Sequence, residues 1–319
     1  MSIDRIATAQ QSQYFLSQIE NATSALNTTQ QQIASGDNAT TYAGFGTQTQ
    51  VLQATMSANA RNSAYQTATS LAVTQADLQD TQLTSLSGLA SQLNTAVSTA
   101  VSTNDPSTLM SQVQSIYSQA VSILNSQDAN GAYIYGGGND STPPVNVTSL
   151  SQLASLPAVS DAFTNGNDLK SVQVADGQTI TYGVTASILG TGLMQELQNI
   201  ASFDQGGTGN FDGSANLSAA QNSFLTGELS STSTAADNLN NATAQNGDNF
   251  SALKNAQDQQ TTMATLYSGF ISNIQDTNMA QAATQLSLDQ TQLQAALQVT
   301  ASLNNLTLLN FLPAATTTG

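Results

Sequence analysis

Apolar residues at the two ends of this chain recur in alternating steps of four and three. Near the C-terminus the run is Met279, Ala283, Leu286, Gln290, Leu293, Leu297 and Thr300; near the N-terminus it is Phe15, Ile19, Ala22, Leu26, Thr29 and Ile33. A period of 3.5 keeps one face of a helix turned toward a partner helix. No Gly or Pro occurs from Met279 to Leu312, so that stretch is expected to form one helix about 50 Å long at 1.5 Å per residue. Gly36 follows the first run at a C-cap position. The seams mirror each other, and antiparallel pairing of the two ends is the simplest way to cover both. A pair of thin helices buries little, so it is expected to stay marginal until neighbouring molecules cover it. The polar seam residues Gln290, Thr300 and Asn304 either fix register at a cost in stability or reflect low-stringency packing of the seam.

Between the ends the pattern changes twice. A long helix is expected from about Thr47 to Thr103, striped by Leu71, Leu78, Leu86, Leu89, Leu93, Val97 and Val101. Asn104-Asp105-Pro106 stops it, with Asp105 expected to cap the next helix and Pro106 to occupy its first position. That helix carries Leu109, Val113, Ile116, Ala120, Ile123 and Leu124. From Gly131 to Val147 glycines and two prolines surround a short aromatic strand. The stretch from Ser171 to Val184 alternates apolar and polar residues around Asp176-Gly177, which predicts a β-hairpin with a type I′ turn. A compact, largely β insertion is expected there, bounded by the glycine-rich connector Asp204–Gly213. Helical pattern resumes from Leu217 to about Gln245 and is expected to break at Asn246-Gly247. It continues through Phe250, Leu253, Met263, Leu266, Phe270, Ile271 and Ile274.

The fold class is therefore mainly α: an elongated helical bundle of N- and C-terminal segments with a small β-rich inserted domain in the middle. The expected divisions are 1–46 (N-terminal core helix and loop), 47–138 (first half of an inner helical domain), 139–213 (β-rich outer insertion), 214–276 (second half of the inner domain) and 277–319 (C-terminal core helix and tail).

Charge narrows the function. Twenty acidic residues face only Arg5, Arg61, Lys170 and Lys254, a net charge of −16. Four scattered cations make no basic patch, which argues against nucleic acid and anionic membrane surfaces as partners. Charged residues are only 8% of the chain, and a polar, weakly charged surface packs against copies of itself with little charge to desolvate. His and Cys are absent, so the usual general base, thiol nucleophile and soft metal ligands are missing, and no cofactor or metal is expected. Gly206, Gly207 and Gly209 approach a calcium-binding repeat, but Phe211 stands where Asp is needed and there is no second copy. Gly136-Gly137-Gly138 lacks the lysine of a phosphate loop. The start has no signal-peptide core and no run is long and apolar enough to span a membrane. The chain is then expected to be cytoplasmic, or to leave by a route that cleaves nothing.

Three stretches resemble a family. Gln30–Gly36 (QQQIASG) is similar to the end of the first helix in bacterial flagellins and hook-associated proteins. Gly131–Pro144 (GAYIYGGGNDSTPP) resembles the G-x-Y-x-F-x-G…T-x-P-P turn of flagellar hook-associated protein 3, the hook–filament junction protein, and Asp276–Leu312 resembles the ending of that family. The chain departs from the pattern in reading TTYAG from Thr41 where an Asp-Asp-Pro turn is usual, and in its near lack of Lys and Arg.

The resemblance implies a non-enzymatic, extracellular structural protein of the bacterial flagellum, exported without a cleaved signal by the flagellar type III export apparatus, with an export chaperone holding it beforehand. Its implied partners are copies of itself, other hook-associated proteins and flagellin, with no nucleic acid and no membrane insertion. The assembly seam would comprise Phe15, Ile19, Leu26 and Ile33 on the first helix, with Met279, Leu286, Leu293, Leu297, Leu303, Leu306, Leu309 and Leu312 on the last. Filament flagellin, which shares these ends, stays open. So does an enzyme using Asp161, Asp168 and Asp176 of the insertion, or a glycan-binding module presenting Tyr182 or Phe163.

Overall fold

The structure, a computed structural model, describes residues 2–311, with side chains from 10 to 302. Seven helices are assigned: α1 (Ser2–Ser35), α2 (Thr49–Thr103), α3 (Leu109–Leu124), α4 (Leu150–Ala154), α5 (Ala186–Gln205), α6 (Ala219–Gln275) and α7 (Met279–Phe311). Two strands, β1 (Ser171–Ala175) and β2 (Gln178–Thr181), form an antiparallel hairpin. The fold is thus mainly α with a small β element in the middle. The chain divides into two compact units, each drawing on both halves of the sequence. Unit 1 is Met1–Arg61 with Met263–Gly319, and unit 2 is Asn62–Thr262.

Unit 2 holds the main core. Leu83, Leu86, Leu93 and Val97 of α2 meet Leu109, Val113, Ile116, Ala120 and Leu124 of α3, Leu193, Met194, Leu197 and Ile200 of α5, and Leu225 and Leu239 of α6. Leu71 and Leu78, read as part of the α2 stripe, are exposed, and the buried positions beside them are Ala72, Ala76 and Gln79. Small side chains win there because the hairpin lies against this stretch. Val172, Val174 and Tyr182 pack on Ala72, Ala76 and Leu253. The Tyr182 hydroxyl donates to Gln75 Oε1 at 2.6 Å, and Gln260 Nε2 donates to the Val174 carbonyl at 2.7 Å.

The hairpin turn is not the expected type I′, which needs positive φ at both central residues. Only Gly177 has it (φ 74°), and an irregularity between Gln173 and Ala175 shifts the register instead. Asp176 Oδ1 at the tip accepts a 2.6 Å bond from the Tyr65 hydroxyl. The rest of 139–213 is not largely β: it contains α4 and the 20-residue helix α5. The short apolar runs of α5, interrupted by Gly190 and Gly192, hide a helix period that burial on several sides makes unnecessary.

Asn246-Gly247 does not break α6, which runs continuously through both residues. Asn246 is buried and its Nδ2 donates to the Ala76 carbonyl at 3.0 Å, one of several polar links between α2 and α6. Asn62 Nδ2 donates to the Gln260 carbonyl at 2.8 Å, and Asn94 Nδ2 to Thr232 Oγ1 at 2.9 Å. Each such bond favours one register of the two helices and outweighs the weak helix propensity of Asn and Gly. Asp105 caps a turn and not a helix: its Oδ1 accepts from Ser107 N, which holds its carboxyl below the usual range, and α3 begins only at Leu109.

The glycine-rich connector is a packed loop. Asp204 Oδ1 accepts from Phe211 N at 2.7 Å, Gln221 Nε2 donates to the Gly209 carbonyl at 2.6 Å, and Phe211 is fully buried. Gly136 to Gly138 likewise form a close backbone crossing. Gly166 N donates to the Gly136 carbonyl at 2.8 Å and Asp168 N to the Gly137 carbonyl at 3.1 Å.

Candidate assembly surface

Unit 1 is built on the antiparallel pair of α1 and α7. On α1 the covered stripe is Phe15, Ile19, Ala22, Leu26, Thr29 and Ile33, the seam read from the spacing. On α7 the covered stripe is Ala282, Leu286, Asp289, Leu293, Ala296 and Thr300. It keeps the steps of four and three but lies one residue earlier at alternate positions. Leu286, Leu293 and Thr300 are where the spacing puts them, whereas Ala282, Asp289 and Ala296 replace Ala283, Gln290 and Leu297. Met279 and Leu297 stay half-exposed, at 49% and 50%. Leu303, Leu306 and Leu309 belong to α7 with side chains outside the described set, and Leu312 lies outside the described residues.

The shift has a physical cause. Alanine at 282 and 296 lets the helix axes approach, and Asp289 is tolerated inside because its charge is solvated by donors. Asp289 is 2% exposed; its Oδ2 accepts from the Thr29 hydroxyl at 2.7 Å and its Oδ1 from Gln285 Nε2 at 2.8 Å. Because that pairing works at one axial setting only, Thr29–Asp289 is a register lock between the ends of the chain. Asp289 is also the only charged residue in the α7 sequence, so its burial leaves the outer faces of that helix without charge.

A second lock closes the same pair where α1 ends. Gly36 turns the chain at φ 80° with its N–H on the Gln32 carbonyl, and Thr277 N donates to the Gly36 carbonyl at 2.7 Å. Asn38 then reaches across. Its backbone N–H donates to the Gln275 carbonyl at 2.6 Å, its Nδ2 to the Ile274 and Asp276 carbonyls at 2.9 and 3.0 Å, and its Oδ1 accepts from Thr277 Oγ1. Asn278 starts α7, its Oδ1 accepting from Gln281 N. These residues join the loop after α1 to the α6–α7 turn. Spacing does not single out Asn38 or Asp289, since both act through partners more than 200 residues away. An Asn38→Ala chain is expected to lose about 1 kcal/mol of unit 1 stability, because the freed carbonyls are open to water. Faster amide exchange at Thr277, with α3 and α5 unchanged, is the measurement.

Most of the large apolar side chains exposed among the described residues belong to this unit: Tyr14, Leu16, Tyr42, Val51, Met56, Met263, Leu266, Phe270, Met279, Leu288, Leu297 and Val299. Unit 2 exposes Leu71, Leu78, Leu169 and Ile188. Tyr14 at 62% and Leu16 at 57% sit on α1 beside the covered stripe, so the pair is apolar outside its own seam as well. This excess of exposed apolar side chains makes unit 1 the candidate interaction surface.

Unit 2 offers less. Tyr182 is buried, and the Phe163 ring packs 3.0 Å from the Cβ position of Gly190, so neither is presented to a glycan. Asp161, Asp168 and Asp176 are each exposed on separate turns. An open groove of about 760 Å³ runs between Val121, Pro143 and Val147, but its polar lining is engaged by the loop itself. Asn125 is bonded in both directions to the Val145 backbone, and Asn139 and Thr164 hold neighbouring carbonyls.

Among the described residues no helix is long and apolar enough to cross a membrane. No protein-family model matches the sequence, and neither does any curated protein. Solved structures do match. A flagellar hook-associated protein from Vibrio parahaemolyticus is 18% identical, with a TM-score of 0.56 over 72% of this chain and 97% of that one. Bacillus cereus FlgL is 12% identical, with a TM-score of 0.51 over 68% of this chain and 96% of that one. The resemblance read from the three sequence stretches and the likeness of the structures meet on one point: this chain has the fold of the flagellar hook-associated proteins.

Proposed function

We propose that the protein is a structural, non-enzymatic axial component of the bacterial flagellum, self-assembling through its paired terminal helices at the hook–filament junction. The observation that carries the reading is the exposed apolar surface of unit 1, half of whose large exposed apolar side chains lie on α1 and α7, a thin helix pair that has little other means of stabilising itself. The uncharged outer faces of α7 fit the same role, since they meet a neighbouring subunit without desolvating an ion. In this reading Phe15, Ile19, Leu26 and Ile33 and the α7 residues Leu286 and Leu293 hold the pair together. Met279, Leu297 and the further leucines toward Leu312 face the next subunit or a neighbouring axial protein. The partners are then copies of this chain, other hook-associated proteins and flagellin. Export would run through the flagellar type III apparatus with a chaperone on the terminal helix, and the site of action would be extracellular.

The test uses purified full-length chain mixed with hook fragments and viewed by electron microscopy. The full chain should add a single band at the hook tip, and a chain ending at Asp276 should add nothing while α3 and α5 keep their native amide protection. A truncated chain that still attaches would overturn the assignment to the terminal pair. Growth of the full chain into long filaments would make it a filament flagellin instead.

A further inference from the structure

Two carboxyl groups meet where α5 passes α6 inside unit 2. The helices touch at Gly192, whose Cβ position lies 3.8 Å from Ala235. One turn further along α5, Glu196 is 8% exposed among the buried Leu193, Leu197 and Ile200. Glu228 of α6 faces it, and the side chains are within hydrogen-bonding reach. The Oε2 atoms of both are buried, and no N–H or O–H of another residue reaches either. Among the charged groups acting on Glu196 there is no cation, only Glu228; the Asn199 amide on the same helix supplies the one opposing hydrogen bond.

Two ionised carboxylates cannot stay side by side in such a place. Burial and mutual repulsion both act against the charges, and two acceptors have no proton between them. A single proton removes both problems: the protonated carboxyl donates an O–H to the other, a short and strong type of hydrogen bond. We propose that Glu196 and Glu228 share one proton, and that this proton is a clasp holding α5 on α6 which opens as the solution becomes alkaline.

The surrounding elements bring no competing charge. α4 has no titratable residue. The only one on α3 is Tyr117, whose hydroxyl donates to the Val147 carbonyl. The short helical turn at Val159–Ala162 carries Asp161, which is exposed. Asp204, the other acid of α5, caps Phe211 N. Residues 87–103 of α2 contain no titratable group, and residues 219–236 of α6 contain only Glu228. The inference concerns unit 2 alone and does not depend on what unit 1 assembles with.

Burial, followed by the contact with Glu228, pushes the Glu196 carboxyl up from 4.5 to about 8. The folded value lies above the unfolded one, so the stabilisation is complete below about 4.5 and is lost as pH rises through about 8. The chain has three glutamates, Glu20, Glu196 and Glu228, so selective ¹³C labelling of Glu side chains in the full chain reads the pair directly. One carboxyl should titrate near pH 8, with amide protection of α5 falling over the same range. In Glu228→Gln the burial of Glu196 remains but its carboxyl partner is gone, so the alkaline titration should move to lower pH and the pH dependence of α5 protection should move with it. Glu196→Gln should remove both. If all three carboxyls of the unmodified chain titrate below about pH 5, the usual glutamate range, the shared proton is excluded whether or not either variant folds. If both variants fold and keep the pH dependence, the clasp is not this pair.

Discussion

A Gly137→Val chain is expected to lose the folded state of unit 2. Gly137 has φ 61°, and a Cβ there would stand 2.2 Å from the Gly166 carbonyl oxygen and 2.8 Å from Thr185 Cγ2. The obstacle is backbone, and it is reciprocal, since a Cβ on Gly166 would stand 2.1 Å from the Gly137 oxygen. Three backbone bonds hold the crossing in place: Gly166 N to Gly136 O, Asp168 N to Gly137 O, and Ala186 N to Tyr135 O. The last of these ties it to the start of α5. A β-branched residue adds the strain of positive φ to the overlap, and the sum is about 4 kcal/mol or more, a large share of a domain's stability. Gly131→Ala is the control. Its φ is 80° but nothing lies within 4 Å of its Cβ position, so it should cost about 1–2 kcal/mol. Denaturant unfolding followed by far-ultraviolet circular dichroism separates the two. Equal effects would mean that backbone conformation alone, and not the crossing, makes glycine necessary at 137.

Phe211→Ala is expected to destabilise unit 2 by about 3–5 kcal/mol, the range for a fully buried phenylalanine. The Phe211 ring lies 5.6 Å from Phe203 of α5, which stacks at 4.0 Å on Phe224 of α6. Removing it opens a hole under a loop that is otherwise held by Asp204 and Gln221. Phe211→Leu keeps most of the volume and should cost less than about 1.5 kcal/mol if the aromatic contact adds little. The midpoint of denaturant unfolding reads both. A Phe211→Ala chain as stable as the unmodified one would mean that the stretch from Asp204 to Gly213 acts as the loose connector its glycines suggest.

These two sites show what is legible in a sequence and what is not. Phe211 reads as a misplaced residue in a metal repeat, because its burial depends on Phe203 and Phe224 coming from two different helices. The three glycines at 136–138 read as a turn, but the partner that makes glycine necessary, Gly166, has no local signature. Asn246-Gly247 reads as a helix break on propensity, and a bond to the Ala76 carbonyl reverses that. In the assembly surface the α1 seam is legible because every position of the stripe but Thr29 is apolar. On α7 half of the covered positions are displaced by one residue, because Ala282, Asp289 and Ala296 are buried in place of the Ala283, Gln290 and Leu297 that spacing selects.

Sequence alone determined the mainly α class, the long terminal helices, the 3.5-residue period of both seams and the hairpin at Asp176-Gly177. All of these follow from repeats within one helix or one turn, where the interacting residues are neighbours in the chain. Only the tertiary structure decided which acid is buried, which glycine is irreplaceable and which face of α7 stays open. Those outcomes depend on which remote group supplies a donor, a carbonyl or a ring. Thr29 reaches Asp289, Gly166 reaches Gly137 and Glu228 reaches Glu196 across separations that no local pattern records.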